Sequence, residues 1–180
     1  CFLIVLMAGL SIYSAVQVAE INNNLGTIND VNSVKQRFAI NYRGSVHDRA
    51  IAIRDVTLVT SADERKAAEA LIEKLAASYA ENEKRMAEMV ASPAGATDQE
   101  KTILSEIADI QAKTNPLVAQ IIALQEKGDG EAARKILLEQ ARPAFVAWLG
   151  AINKFIDYQE AYNKSIGGEV RSTASSSPCH

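Results

Sequence analysis

"TSADERKAAEALIEKLAASYAENEKRMAEMVASPAGATDQE", Thr60 to Glu100, carries the reading of the fold. It opens with a helix start: Thr60 or Ser61 as N-cap, then Asp63 and Glu64, where acids complement the first turn. Ala68, Leu71, Leu75, Ser78, Asn82, Met86 and Met89 follow at three- and four-residue steps, the period of one helical face. "SPAGAT" ends that helix, and "TDQE", Thr97 to Glu100, has the capping-box form that begins another.

Toward the C-terminus, the third helix continues through Ile103, Ile107, Ile110, Leu117, Ile121 and Leu124. Asn115-Pro116 lies inside it and is expected to kink or locally unpair it. "KGDGE" reads as a tight turn. The fourth helix runs from about Gly130 to Ile166 through Ile136, Val146, Leu149, Ile152 and Ile156, with a second kink expected at Pro143 and a stop at Gly167-Gly168. Toward the N-terminus, a first helix runs unbroken to about Val59, its only interior breakers being Gly9, Gly26 and Gly44. Four long helices joined by short loops predict an all-α, antiparallel up-down-up-down four-helix bundle. No strand pattern and no internal repeat competes.

The first helix begins in "CFLIVLMAGLSIYSAVQVA", Cys1 to Ala19, a run without charge that is close to the roughly 20 residues needed to cross a bilayer. No basic segment precedes it and the helical pattern continues through Ile21, Leu25 and Ile28, so a membrane-spanning end of helix one fits better than a signal peptide. The part beyond Ala19 would project roughly 60 Å. The chain therefore reads as a piece that begins inside a membrane helix. Its expected domains are residues 1–19 as the end of that span, 20–168 as the bundle, and 169–180, "RSTASSSPCH" included, as a structureless tail or residues foreign to the native protein.

Composition agrees. The 180 residues are 48% hydrophobic and 23% charged, with 9 Gly, 4 Pro and 6% aromatics, a mix that favours helices. A net charge of −3 argues against nucleic acid as the main partner. Cys1 and Cys179 form neither a disulfide framework nor metal-ligand spacing.

The charge is unevenly placed. From Lys35 to Asp55 five Lys or Arg face two acids, a local excess of three positive charges. Within "NYRGSVHDRAIAIRD", Asn41 to Asp55, a wheel at about 100° per residue puts Ala39, Tyr42, Val46, Ile53 and Val56 on one seam and Arg49 within it. Arg43, His47 and Arg54 align within about 40° of one another on its flank. Exposed pairs with Glu and Asp on neighbouring helices would account for the flank. A pocket for a small carboxylate would account for it too, because arginine's planar fork matches a carboxylate bidentately. Arg49 in the seam must be paired with an internal acid or meet an anion. On the facing helices Arg142 precedes Pro143, and Thr114 and Asn115 sit at the other proline. Tyr79, Trp148 and Tyr158 could line a cavity or serve as core or interface. Asn32 and Lys35, polar residues on the seam, could specify register and copy number.

Catalytic patterns are a poor match. His47 is the only histidine in the body, with no nucleophile motif to support it. No Glu-x-x-His pair for a di-iron site occurs, and "SSPCH" lacks the first cysteine of a haem attachment. No enzyme activity, cofactor or metal is expected.

A membrane helix leading into "NYRGSVHDRAIAIRD", two further helices, and a last one carrying "EQARPAFVAWLGAINKFIDYQE" resembles the periplasmic sensor domain of bacterial methyl-accepting chemotaxis receptors. The resemblance extends from about Cys1 to Gly168, and "RGSVHDRAIAIRDV" is similar to receptors for tricarboxylic-acid-cycle intermediates such as malate and citrate. It implies a homodimer in the inner membrane, with this domain in the periplasm and helix one at the subunit interface. Ligand would lie between helix one of both subunits and helix four, and binding would move helix four as a piston. The relatives' ligand-clamping arginines correspond to Arg43, Arg49 and Arg54, although the spacings here are wider than in the aspartate receptor. A second span, a HAMP module and methylated signalling helices would lie outside this stretch. The same bundle also precedes histidine kinases and diguanylate cyclases, and a ligand-free structural adaptor is the remaining alternative.

Overall fold

The computed structural model describes residues 2–93 and 95–176, of which 2–6, 8, 10 and 176 are described by backbone alone. Cys1, Cys179 and the end of the expected tail lie outside the described residues. Helix α1 (Phe2–Gly26) leads through a π-helical turn, Thr27–Asn32, into α2 (Ser33–Leu58). Helices α3 (Ala62–Ala91) and α4 (Asp98–Glu126) follow. The last stretch is α5 (Gly130–Ile136), a second π turn at Leu137–Ala141, and α6 (Arg142–Ser176). No strand occurs among the described residues, and the four helical stretches are those the sequence predicts.

Local chemistry sets each start. The Ser61 hydroxyl accepts the Glu64 N–H at 3.1 Å ahead of α3. At α4 the capping box is complete: Thr97 Oγ1 accepts the Glu100 N–H at 3.1 Å, and the buried Glu100 carboxylate accepts the Thr97 N–H at 2.6 Å. Gly128 takes a φ of +83°, where a side chain would strain, and Asp129 then caps α5 through Ala132.

The expected breaks are met in different ways. Helix α4 runs through Pro116 in one piece, with the Thr114 hydroxyl donating to the Ile110 carbonyl at 2.7 Å. Pro143 falls at the start of α6, directly after the π turn. The carbonyl its ring would strike, four residues back, belongs to Glu139 inside that wider turn. Gly167 and Gly168 do not stop α6, which continues to Ser176, so residues 169–176 are helical rather than structureless. Among the described residues no helix is long and apolar enough to cross a membrane.

Residues 37–157 form one compact unit. Its core is built from Ala39, Tyr42, Val46, Ile53 and Val56 of α2, as the wheel predicts, with Ile103, Ile107 and Ile121 of α4. Helix α3 is rotated from its expected face: Ile72 and Tyr79 are buried while Leu71 is 45% exposed. The last helix turns likewise, burying Phe145, Trp148, Ile152 and Phe155 and leaving Val146 64% exposed. One aromatic cluster causes both rotations. Tyr42 stacks on Tyr79 at 4.5 Å, and Tyr79 meets the edge of Trp148 at 5.3 Å. Burying such rings outweighs burying a single Leu or Val.

The described residues of 1–36 and 158–180 form the other unit. Tyr158 stacks on Tyr162 at 6.0 Å, Ile166 is buried, and Asn32 and Lys35 are buried as polar members of the seam.

Candidate functional site

The arginines of "NYRGSVHDRAIAIRD" separate into three fates. Arg49 is 5% exposed, as a seam residue should be, yet it meets no acid within ion-pair distance among the described residues. Its guanidinium lies 5.2 Å from the ring centre of Tyr79 and 4.8 Å from that of Trp148. The aromatic faces supply the negative charge that a carboxylate was expected to bring. Burial pulls its pKa below the ordinary value, while the charges of Tyr79 and Glu83 act in the opposite direction. Nε and Nη2 have no hydrogen-bond partner.

Arg43 is exposed and donates to Asn153 Oδ1 at 3.4 Å. Arg54 is different. Together with Arg134 and Arg142 it lines a cleft of about 420 Å³, with buried Leu137 and the exposed Leu58 and Leu138 as its apolar lining. A recess of about 100 Å³ shares Arg54 and Arg142 and adds His47 and Phe145. His47 is exposed, its Nδ1 3.2 Å from Asp48 Oδ1.

No carboxylate lines the cleft, and among the described residues none of its three arginines forms an ion pair. Guanidinium forks, here brought to one cleft from α2, α5 and α6, pair bidentately with the oxygens of a multiply charged anion. The leucines offer a surface to its carbon chain, and the volume suits a small molecule. Thr57 also lines the cleft, but its hydroxyl already donates to the Arg54 carbonyl at 2.8 Å.

Of the residues singled out from sequence, the cleft and recess bring together Arg54, Arg142 and His47. Thr114 is fully buried with its hydroxyl bonded within α4, Asn115 is exposed outside the cleft, and Tyr158 belongs to the other unit. Arg134 was not singled out. It stands eight residues before Arg142, which in a regular helix puts the two roughly 80° apart. The π turn between them absorbs about one residue, so they return to one face within roughly 20°. The signal for that turn is in the sequence: Ala133, Leu137, Ala141 and Phe145 follow at three successive four-residue steps. All four are buried.

The buried cluster also holds its own protons tightly. Burial raises the Tyr79 pKa to about 12, with Glu83 adding to the shift and the Trp148 N–H bond, 3.3 Å, and Arg49 opposing it. Tyr42 is raised as well, by burial first and then by Tyr79 and Glu83. Among the described residues, no group of three or more His, Cys, Asp or Glu could hold a metal ion.

The cationic cleft lies between α2 and the stretch from α5 to α6. The model of the four helix bundle sensory module for signal transduction matches residues 1–173, and the chain belongs to that family. No curated protein matches the chain.

Proposed function

We propose that this chain is the extracytoplasmic ligand-binding domain of a bacterial transmembrane chemoreceptor, sensing small di- or tricarboxylates such as malate or citrate in the Arg54–Arg134–Arg142 cleft. One observation carries the reading: three exposed arginines, from α2, α5 and α6, line one cleft without a carboxylate partner among the described residues. An unneutralised cluster of that kind repels itself, and a polycarboxylate relieves the repulsion by forming several charge-assisted hydrogen bonds at once. The sensory family supports the signalling role, and the uncharged run from Cys1 to Ala19 supports a membrane anchor with the bundle in the periplasm.

The helices run up-down-up-down. Ser45 bonds the Leu75 carbonyl and Asn41 bonds Asn82, so positions fall on α2 as they rise on α3, which supports antiparallel order. Ile51 and Leu58, exposed apolar residues beside the cleft on α2, suit a second copy of the chain and a homodimer built on helix one. Ligand bridging α2 to α5 and α6 then displaces the last helix along its axis and passes the signal on.

The test is a thermal-shift and calorimetric screen against malate, succinate, citrate, aspartate and aromatic acids. A ligand present at 100 times its Kd stabilises the fold by about 2.7 kcal/mol through mass action. The outcome against the proposal is a flat response to every acid, which is what a ligand-free adaptor predicts.

A further inference from the structure

A second cavity, about 220 Å³, opens among α2, α3 and α4 and shares no lining residue with the arginine cleft. Tyr42, Tyr79, Met86, Leu104 and Ile107 form its walls, and the half-buried Glu83 is the only charged residue lining it. Among the described residues Glu83 has no cation within ion-pair distance. The bundle thus carries two cavities of opposite character, one cationic and lined with leucine, the other aromatic with a single carboxylate.

We propose that this cavity binds a small aromatic amine: one ring carrying a primary ammonium on a short carbon arm. The cavity's volume exceeds the roughly 150 Å³ that accepts benzene, so one ring with a short arm fits. Chemistry sets the head group. An ammonium at the mouth pairs with Glu83 while the ring packs against Met86, Leu104 and Ile107. The same carboxylate turns away the organic acids that the arginine cleft would take. A reporter is built in: Trp148, the chain's one tryptophan, donates its N–H to the Tyr79 hydroxyl at 3.3 Å, and Tyr79 is a cavity wall.

The experiment titrates the intact chain with 2-phenylethylamine, phenylacetate and 2-phenylethanol, following tryptophan fluorescence and heat. The amine should give a saturable change. Glu83→Gln should weaken it by roughly tenfold or more. Ala87→Leu, at an exposed position on the cavity rim, should abolish it with helix content unchanged. Arg142→Ala, which alters only the other cleft, should leave it intact. The proposal is overturned if the amine gives no saturable response. It is equally overturned if the response survives both cavity substitutions, or if phenylacetate binds as well as the amine and is blocked by Ala87→Leu.

Discussion

The Arg49 guanidinium lies 4.8 Å from the centre of the Trp148 ring, a buried charge held by an aromatic face where a carboxylate would be the usual partner. The two residues should therefore be energetically coupled. Trp148→Ala alone should cost about 3–5 kcal/mol, as for other buried aromatic residues. In an Arg49→Met background, where a flexible apolar chain replaces the charge, the same truncation should cost less by about 0.5–2 kcal/mol. Urea unfolding of the four variants measures the difference, and a cycle that closes to zero would mean the guanidinium gains nothing from the ring.

Alkaline pH should loosen the same cluster. The fold favours the neutral form of Tyr79, whose pKa is raised from 10.0 to about 12. Below pH 10 the contribution is fully present. Between about pH 10 and 12 the unfolded chain releases a proton that the folded chain keeps, so stability falls by up to about 1.4 kcal/mol per pH unit. Tyr42 is shifted in the same direction and steepens the fall. Urea midpoints followed from pH 8 to 11 should drop from near pH 10, and Tyr79→Phe should flatten the slope.

Ligand affinity should rank the arginines by position. Arg54→Ala, Arg134→Ala and Arg142→Ala each remove charge-assisted hydrogen bonds worth about 1.5–3 kcal/mol, or about 10- to 100-fold in Kd. Arg43→Ala, whose partner is Asn153, should change Kd by less than about threefold. Calorimetry with the best acid of the screen decides it. Equal losses at Arg43 and Arg134 would move the site away from the cleft.

The π turn makes a sharper prediction. Deleting exposed Glu139 takes one residue out of Leu137–Ala141 and lets the segment close as an ordinary α-helix. Arg134 and Arg142 would then stand seven residues apart in a regular helix, still within roughly 20° of one face, so acid affinity should change by less than about threefold. Circular dichroism should still report the same helix content. A tenfold loss would show that the turn does more than absorb the extra residue.

The sequence made most of the bundle legible because helix signals are local. Caps at Ser61 and Thr97, the turn at Gly128 and the α2 seam depend on residues within a few positions of one another. Arg49 was readable as a seam residue but its partner was not, since Tyr79 and Trp148 are 30 and 99 positions away. Leu71 and Val146 were expected inside and lie outside, because three aromatic rings meeting across helices fix the rotation of α3 and α6. Arg134 escaped a regular wheel that counts 3.6 residues in every turn, and the cleft contains a turn that does not.

Gly167 and Gly168 lie inside α6 with no neighbouring atom within 4 Å of the place where either Cβ would stand. Packing does not call for glycine there, yet each lowers helix stability by about 1 kcal/mol relative to alanine. Under axial load a helix yields first where its backbone is softest. The pair therefore leaves a less stable stretch inside α6, and alanine at both positions should raise helix stability there by about 2 kcal/mol without reaching the residues that line either cavity.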